Sequence, residues 1–521
     1  MQTRKLNATG FSGVLILPLF PIVLLASIGL LPDIRQHAVL SLSVWLWSAF
    51  LTAWLGLLSA KTARGHRNLT VEIVLRKQHY LQAAVQLTVF AYWGWYWPQV
   101  YEYAVLIFAQ IVFAYAIDAL ICWSRRENYV LGFGPFPIIL STNLFLWFKD
   151  DWFYLQFLMI AVGFLGKEFV RWQRDGKGTH IFNPSAFSLG LFSLVLIMTG
   201  TTEITWGPQI ATTLSLAPNI YLIVFLLGLV VMYAFSTTLV SAISAASLFA
   251  LSALYFEVTG VPYFLDSEIP IAVFLGLHLL VTDPTTSPKT PLGKAAFGFM
   301  YGIGVFVLYE LLGRFGAPTF YDKLLCVPLL NLSVKVIDRL VRSRMATGWA
   351  ERLSVVAASA KTNLIHMAAW IAFFTWMSVL GATDARHTGD SVPFWQEACG
   401  EERRGACERL LLIERVYCGE NVGWACNELG VYYFEGRIVE ADAALSQAYF
   451  GQSCRTGFWD GCVNLRRLQR GMEAESLTHQ APRIGDLRAL LREGGQTLLA
   501  MPENELLERA CTHGWTFACE L

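Results

Sequence analysis

Long apolar runs dominate this chain and restrict it to folds that are built within a membrane. Of its 521 residues, 55% are hydrophobic and only 15% are charged, and the mean hydropathy is +0.47. A chain with so many apolar and so few charged residues cannot form the polar surface of an ordinary soluble protein. A helix of about 17 to 25 residues crosses a bilayer. Runs of that length lie at about 11–31, 38–60, 80–98, 101–122, 130–148, 152–168, 185–200, 219–236, 237–258, 296–313, 322–340 and 364–382, with a shorter run at about 269–281. The sequence therefore predicts an all-α, polytopic membrane protein with roughly 12 to 13 membrane segments.

Charges between the runs predict how the chain is oriented. Basic residues cluster in alternate loops, which should be cytoplasmic, and acidic residues lie in the loops between them. The basic loops contain Lys61, Arg64, Arg67, Arg76, Lys77, Arg125, Arg126, Lys167, Arg171, Arg174, Lys177, Arg339, Arg342 and Arg344. The acidic loops contain Asp150, Asp151, Glu203, Asp266 and Glu268. This pattern predicts that Asn183 and Asp283 lie on the cytoplasmic side and that the tail after Ala382 lies outside.

The first apolar run favours a retained membrane helix. Arg4 and Lys5 precede it, but no convincing small-residue cleavage site follows, so a cleaved signal peptide is the weaker alternative. The formal net charge is zero and no basic stripe stands out, which argues against a nucleic-acid partner.

Cysteines in the tail predict an exported, disulfide-bonded segment. Eight of the ten cysteines fall in four pairs, each eight positions apart: Cys399/Cys407, Cys418/Cys426, Cys454/Cys462 and Cys511/Cys519. Neighbour pairing is favoured by the short, uniform spacing, although other connectivities stay open. Zinc binding is the alternative, but zinc ligands usually lie two to four residues apart and often include histidine. The other two, Cys122 and Cys326, are predicted to be buried small residues.

The tail also repeats itself. A stretch that begins at Cys418 recurs about 36 residues later at Cys454, the period of a helical hairpin. Helices are predicted from Cys426 to Phe434 and from about Val439 to Cys454. The segment 399–519 resembles the cysteine-rich form of Sel1-like repeats, which are relatives of the tetratricopeptide repeat. This resemblance implies an α-helical solenoid that binds a protein partner. The alternative is a capped domain that only stabilises its own end of the chain.

Two short polar motifs stand out within apolar surroundings. They are His180–Phe187 and Thr282–Pro288, and each contains an Asx-Pro pair. Asn or Asp followed by Pro is typical of a helix start. At membrane depth the free N–H groups of such a start need a polar partner, so the motifs predict a buried site for an anionic or electron-rich ligand. Helix capping at the membrane surface is the alternative.

These motifs carry a second resemblance, which covers about 75–345. The segment Lys177–Phe187 is similar to the Gly-(Arg/Lys)-x-(Phe/Leu)-Asn-Pro-Ala segment of the polytopic flavin subunit of the Rnf electron transport complex and of its counterpart in the sodium-translocating NADH:quinone reductase. The segment Val281–Pro288, with Gly293-Lys294 and the glycine-rich Phe297–Gly302, looks like the Ala-Thr-Asp-Pro-Val-Thr-Ser segment of that family. Leu330–Leu332 and Val336–Arg339 match its last membrane helix.

The resemblance implies a membrane-embedded carrier of FMN, with riboflavin as a second possible cofactor. Residues carried over as candidate cofactor-binding residues are His180, Asn183, Pro184, Ser185, Thr282, Asp283, Pro284, Thr285, Thr286, Ser287 and Lys294. The family attaches FMN covalently at (Ser/Thr)-Gly-Ala-Thr, where this chain has Thr199-Gly200-Thr201-Thr202. Thr202 is thus the candidate attachment residue, and an ordinary helix end is the alternative.

Other candidates are weaker. Thr212 and Thr213 offer a second attachment site. His180 and His278 could ligate haem or bond a quinone, but a structural role is the alternative. No catalytic residue and no metal site are predicted, and an NADH-binding motif is absent from the sequence.

Together these features predict four regions and one main function. The regions are 1–75, a helix hairpin with a basic loop; 76–345, the domain resembling the Rnf flavin subunit; 346–383, a cytoplasmic linker and last membrane helix; and 384–521, the exported repeat domain. The predicted function is that of an electron-transfer subunit of a membrane oxidoreductase, in contact with lipid, with other electron-transfer subunits or with an exported redox protein. A transporter, or a scaffold or accessory protein without redox activity, is the alternative.

Overall fold

The computed structural model describes residues 2–6, 11–65, 67–215, 217–264, 267–341, 360–383, 387–419, 421–473, 501–512 and 519. The chain divides into two compact units. The membrane unit comprises Met1–Leu251 and Ile269–Ala385, and the tail unit comprises Ser252–Glu268 and Arg386–Leu521. The predicted boundaries at 75 and 345 stay predictions, and most of the predicted cytoplasmic linker lies outside the described residues.

Helices make up most of the membrane unit. They are α1 (Phe11–Ile28), α2 (Pro32–Gln36), α3 (Ala38–Arg64), α4 (Lys77–Tyr96), α5 (Gln99–Glu102), α6 (Ala104–Arg125), α7 (Pro135–Asn143), α8 (Phe153–Phe169), α9 (Pro184–Thr199), α10 (Gly207–Ser215), α11 (Ile220–Phe235), α12 (Thr238–Thr259), α13 (Ile271–Leu279), α14 (Pro291–Arg314), α15 (Asp322–Val341) and α16 (Ala360–Val379). The last residues of α12 belong to the tail unit. The predicted helical class is therefore confirmed in its main feature.

Within the described part of the chain, five short strands depart from an all-α fold. Strands β1 (Gln2–Leu6) and β2 (Thr70–Leu75) pair antiparallel, and β3 (Asn128–Leu131) pairs parallel with β2. Strands β4 (Arg171–Arg174) and β5 (Lys177–His180) form an antiparallel hairpin. Its two turn residues, Asp175 and Gly176, have φ angles of 50° and 73°. An Asp-Gly pair at positive φ is the usual two-residue connection of a hairpin.

Among the residues that the structure describes, four stretches are long and apolar enough to cross a membrane. They are Ala38–Arg64, Gln99–Arg125, Thr238–Thr259 and Pro291–Arg314. The pair α10 and α11, bent by 103°, would make a fifth span if the two helices are counted together. These stretches indicate a membrane protein.

The predicted span at 130–148 is wrong as a single helix. Helix α7 has only nine residues, and Leu144–Phe148 continue as fully buried, non-helical chain. Backbone of this segment pairs with residues 204–206: Lys149 N donates to Ile204 O at 3.0 Å and Trp206 N donates to Trp147 O at 2.8 Å. Non-helical chain at membrane depth requires such partners.

Three buried side-chain amides form hydrogen bonds around the end of α7. Gln110, Asn143 and Gln156 are all inaccessible to solvent. Asn143 Nδ2 donates to Gln110 Oε1 at 2.6 Å, and Gln156 Nε2 donates to the same oxygen at 3.1 Å. Gln156 Oε1 accepts from Phe148 N at 3.1 Å. The three amides thus tie α6, α7 and α8 together around the point where the helix stops.

The order of helices repeats within the membrane unit. Two series of five helices follow one another along the chain, and the third helix of each series has only nine residues. The first series is α4, α6, α7, α8 and α9, and the second is α11, α12, α13, α14 and α15. Helix α4 packs on α11 and α9 packs on α15, so equivalent helices meet. Membrane proteins with internal structural repeats show this kind of arrangement.

Helices α12 and α14 approach closely through glycines. A Cβ on Gly298 would lie 2.5 Å from the carbonyl oxygen of Val240, and one on Gly302 would lie 2.9 Å from Ser247 Cβ. Glycines four residues apart let two membrane helices touch through their backbones.

Gly302→Ile is therefore expected to destabilise the membrane unit by about 1 to 3 kcal/mol, because the new side chain has no room between the helices. Thermal unfolding of the detergent-solubilised protein, followed by loss of the monodisperse chromatographic peak, measures the effect. Gly56→Ile is the matched control, since a Cβ on Gly56 in α3 meets nothing within 4 Å. Equal losses in both variants would contradict this packing.

The tail unit contains short helices joined by disulfides. They are α17 (Val392–Gly400), α18 (Ala406–Gly419), α19 (Gly423–Glu435), α20 (Ala443–Arg455), α21 (Trp459–Gln469) and α22 (Glu503–Thr512). The bonds are Cys399–Cys407, Cys418–Cys426, Cys454–Cys462 and Cys511–Cys519. The predicted neighbour pairing is confirmed, and the first three bonds each join the end of one helix to the start of the next. Cys122 and Cys326 are buried free thiols, as predicted.

The predicted helical hairpin between the two cysteine pairs is present. The helix expected over Cys426–Phe434 is α19. The one expected from Val439 begins later, at Ala443, because Asp442 caps it by accepting from Leu445 N at 2.9 Å. Most of the irregular stretch between Cys462 and Cys511 lies outside the described residues, so the solenoid itself stays a prediction.

Candidate functional site

The first polar motif starts a helix, as predicted. Asn183 precedes Pro184, the first residue of α9, and its Oδ1 accepts from the Ser185 backbone N at 3.1 Å and from Ser185 Oγ at 2.8 Å. The side chain of Asn183 itself therefore caps the start of α9. The β4–β5 hairpin ends at His180, three residues before this cap, and so fixes where the motif begins.

The second motif does not start a helix, and that prediction is wrong. Helix α13 ends at Leu279, and α14 begins only at Pro291, where Thr290 Oγ1 accepts from Gly293 N at 3.1 Å. Asp283 closes a turn instead, accepting from Thr285 N at 2.9 Å and from Thr286 Oγ1 at 3.0 Å. The reason lies in Pro288, which would interrupt any helix that started at Pro284.

The two motifs meet although about 100 residues separate them. Asn183 Nδ2 donates to Leu280 O at 2.9 Å. Asn331, on α15, joins them a second time: its Oδ1 accepts from Asn183 N at 3.0 Å, and its Nδ2 donates to Thr286 O at 3.2 Å. His180 Nε2 lies 3.8 Å from Asp283 Oδ2. We call the segment 280–288 the site loop.

Arg174 holds the site loop from the hairpin. Its Nη1 donates to Thr285 O at 3.1 Å, and its Nη2 donates to Ser287 O at 2.9 Å and to Asp338 Oδ2 at 2.8 Å. Arg174 and Asp338 are both buried. In the sequence, Arg174 stands out only as a charge of a basic loop, and Asn331 only as part of the segment that resembles the family's last membrane helix. The pairing of Arg174 with Asp338, 164 positions away in the sequence, becomes visible only in the folded structure.

The electrostatics of the site loop favour hydrogen-bond acceptance over anion binding. Burial acts to raise the pKa of Asp283, but His180, the Thr285 N–H and the Thr286 hydroxyl together hold it below its ordinary value. Asp283 is therefore ionised at neutral pH. A carboxylate at this position repels a phosphate and can accept from an N–H or O–H group of a neutral ligand.

Three polar atoms near the loop have no hydrogen-bond partner among the described residues. They are Arg174 Nε, Asp338 Oδ1 and Ser287 Oγ, and all are buried. Thr282 is also buried and donates to His278 O at 2.7 Å, so its hydroxyl is used within the protein. Pro284 and Thr285 are exposed and form the outer edge of the loop.

Lys294 and Thr202 lie elsewhere. Lys294 Nζ donates to Ser236 O at 2.8 Å, at the end of α11. Thr202, half-buried, begins a short 3-10 turn after α9. Because α9 has 16 residues that rise 1.5 Å each, it is about 24 Å long, and Asn183 and Thr202 lie beyond its opposite ends. The length of α9 thus separates Thr202 from the site loop, and Lys294 bonds to the end of α11 instead.

Aromatic side chains crowd the end where Thr202 lies. Trp147 is stacked between Tyr103 at 4.6 Å and Trp97 at 5.5 Å, with interplanar angles of 11° and 8°. Trp206 lies edge-on to Trp97 at 6.2 Å, and Thr205, next to it, donates to Thr202 O at 2.9 Å. The sequence pattern does not reveal this aromatic cluster, because its members come from four separate segments.

The weaker candidates have structural partners. Thr213 Oγ1 accepts from Trp93 Nε1 at 3.1 Å, and Thr212 Oγ1 donates to Pro208 O at 3.1 Å. His278 is fully buried, and its Nδ1 lies 2.7 Å from Phe274 O. Within the described ranges, no group of three or more His, Cys, Asp or Glu side chains could hold a metal ion.

Comparison with known proteins gives no relative. No protein-family model, no curated protein and no solved structure matches this chain. The resemblances to the Rnf flavin subunit and to Sel1-like repeats therefore stay predictions that rest on the motifs quoted above.

Proposed function

We propose that this chain is an electron-transfer subunit of the bacterial inner membrane that holds a flavin and is related to the polytopic flavin subunit of the Rnf complex. The observation that carries the proposal is the meeting of the two motifs through Asn183 and Asn331. Residues that resemble one family's flavin motifs in sequence, far apart in the chain, are brought to one place. We further propose that the full chain has 12 to 13 membrane segments, of which the four long stretches are part.

Two places fit a flavin, in different ways. Thr202 offers a hydroxyl for a covalent FMN, beside aromatic rings that suit a planar ring system. The site loop suits a neutral flavin edge, such as that of riboflavin, because Asp283 accepts hydrogen bonds but repels phosphate. A bound flavin would supply one- and two-electron chemistry, while the protein supplies position and electrostatics.

Absorbance and fluorescence of the purified protein, before and after acid precipitation, test this proposal. We expect a flavin spectrum that stays with the precipitate, and an FMN mass on the Thr199–Thr213 peptide at Thr202. Thr202→Val should remove the covalent flavin, whereas Thr201→Ala should keep it, because alanine is the residue that the family's attachment motif has at that position. Flavin released by acid would favour a noncovalent site at the loop. A colourless protein from flavin-replete cells with an intact attachment enzyme would refute the redox function.

A transporter is the second candidate, and one observation favours it. The nine-residue helices α7 and α13 occupy equivalent places in the two series of helices. Short helices in corresponding halves often build substrate sites near the middle of the membrane. A colourless protein would leave this candidate, or a scaffold role, as the better explanation.

For the tail unit we propose an extracytoplasmic location and a docking role for an exported partner, such as a redox protein. Four disulfides support an oxidising compartment. Alkaline phosphatase fused after Leu521 is expected to be active in cells, and green fluorescent protein fused there to be dark. The reverse result would place the tail in the cytoplasm and contradict the orientation.

A further inference from the structure

Three arginines converge on one buried carboxylate at the end of α6. Arg126 Nη2 lies 2.7 Å from Glu168 Oε2, Arg125 Nη1 lies 3.7 Å from Oε1, and Arg171 Nη1 lies 3.7 Å from Oε2. Three positive charges thus surround one negative charge, which leaves an excess of two. Glu168 is 7% exposed, whereas the arginine side chains are 46%, 47% and 32% exposed. The three arginine side chains therefore stay partly open to solvent after they have paired.

This arginine cluster lies where a membrane span ends. Arg125 is the last residue of Gln99–Arg125, one of the four spanning stretches. Next to it, Trp54 Nε1 donates to Ser124 Oγ at 3.0 Å, an arrangement typical of tryptophans at the membrane interface. Phe169 and Leu165 are both exposed apolar residues on α8. The Arg125 guanidinium lies 5.1 Å over the Phe169 ring. Cationic groups and apolar side chains thus face the same surface.

We propose that the arginine cluster binds the headgroup of an anionic phospholipid. The phosphate would accept hydrogen bonds from Arg125, Arg126 and Arg171, and the acyl chains would lie along Leu165 and Phe169. Guanidinium groups are suited to this task because their planar N–H pairs match phosphate oxygens. Clusters of arginine at the ends of membrane helices attract anionic lipid through the same charge. Glu168 then serves to hold the three side chains in one place.

Native mass spectrometry of the full chain, released from micelles with added lipid, tests this site. We expect dioleoyl-phosphatidylglycerol to be retained more strongly than dioleoyl-phosphatidylcholine. The double variant R125Q/R126Q should bind phosphatidylglycerol roughly 30-fold more weakly, which corresponds to about 1 kcal/mol for each lost charge. Arg314→Gln is the matched control, because Arg314 is a single exposed arginine, paired with Glu310, at the end of another span. Its retention of phosphatidylglycerol should be unchanged.

Several results would overturn the proposal. Equal retention of phosphatidylglycerol by R125Q/R126Q and the parent protein would do so, as would equal retention of the two lipids by the parent. Thermal stabilisation of the same size by inorganic phosphate and by phosphatidylglycerol at equal concentration would assign the cluster to a free anion instead. If the double variant does not fold, Arg171→Gln on β4 serves in its place, and an unchanged lipid retention in that variant would also count against the site.

Discussion

Replacing Arg174 by methionine is expected to destabilise the membrane unit by about 3 to 5 kcal/mol. The change leaves the buried carboxylate of Asp338 without its cation and frees the carbonyl groups of Thr285 and Ser287. Removing one partner of a buried ion pair has this large effect because an uncompensated charge stays in the interior. Denaturant or thermal unfolding in detergent measures the loss, and limited proteolysis at the site loop reports whether the loop has come free.

The same hairpin offers a matched control. Lys289 pairs with Asp175 at the hairpin turn, and both side chains are exposed, at 53% and 40%. Lys289→Met should therefore change stability by no more than about 1 kcal/mol, since exposed ion pairs contribute little. The double variant R174M/D338L is expected to recover much of the loss, because neither charge is then left alone. If Arg174→Met and Lys289→Met were equally mild, Arg174 would not be holding the loop.

Glu414→Gln is expected to stabilise the tail unit at neutral pH and to leave it unchanged at pH 4. Burial, with a smaller contribution from the Glu428 carboxylate, raises the pKa of Glu414 well above its ordinary range. Its Oε1 accepts from the Tyr432 hydroxyl at 3.1 Å, and its Oε2 has no hydrogen-bond partner among the described residues. Folding therefore keeps this carboxyl group protonated where the unfolded chain would ionise it.

The direction of the pH effect follows from that shift. Below the unfolded pKa of about 4.3, both states are protonated and the glutamate costs nothing. As the pH rises above that value, only the unfolded state releases its proton, so the folded state loses relative stability until its own pKa is passed. Glutamine removes this penalty. Hydrogen exchange of peptides from α18 and α19 in the full chain, corrected for intrinsic rates, measures it between pH 4 and 8.

Glu408→Gln is the control for this pH dependence. Glu408 lies on the same helix as Glu414 but is exposed. Its replacement should leave protection unchanged throughout the pH range. A pH-independent gain in Glu414→Gln, or a gain of equal size in Glu408→Gln, would show that the buried carboxyl is not the cause.

Composition and local pattern predicted those features that depend on neighbouring residues. The apolar runs coincide with helices at most places because a run of that length has few other ways to satisfy its backbone in a membrane. The cap at Asn183 and the disulfides between cysteines eight positions apart also depend only on short stretches of chain. These predictions needed no knowledge of the tertiary structure.

Features made by distant residues could not be predicted in the same way. Apolar character alone did not show that α7 stops at Asn143, since Leu144–Phe148 are as apolar as a helix would be. What stops the helix is the pairing of this segment with residues 204–206 and with Gln156. Strand β2 likewise depends on partners at both ends of a long stretch of sequence.

The sequence predicted several residues of the candidate site but not the hydrogen bonds that join them. His180, Asn183, Asp283 and Thr286 do come together, yet the polar groups of the motifs bond largely to one another. The sequence predicted free helix N–H groups at both motifs. Instead, Asp283 closes a turn, and the side chain of Asn183 caps the start of α9. Arg174 links the hairpin to the site loop, and Asn331 links the two motifs. Nothing in the neighbouring sequence marks either residue for this role.

The tail unit is assembled from two separate stretches of the chain. Val261, from the connection between α12 and α13, is buried in the same apolar core as Trp395, Leu410 and Leu429. Arg403 Nη1 donates to Gly260 O at 3.1 Å, and Glu268 lies 3.4 Å from His387 Nε2. A fragment cut at residue 386 would lack these partners and expose part of its core. During biosynthesis, the segment Arg386–Leu521 can complete its folding only after the α12–α13 connection has reached the same compartment. Maturation of the tail therefore depends on the insertion of the helices made before it.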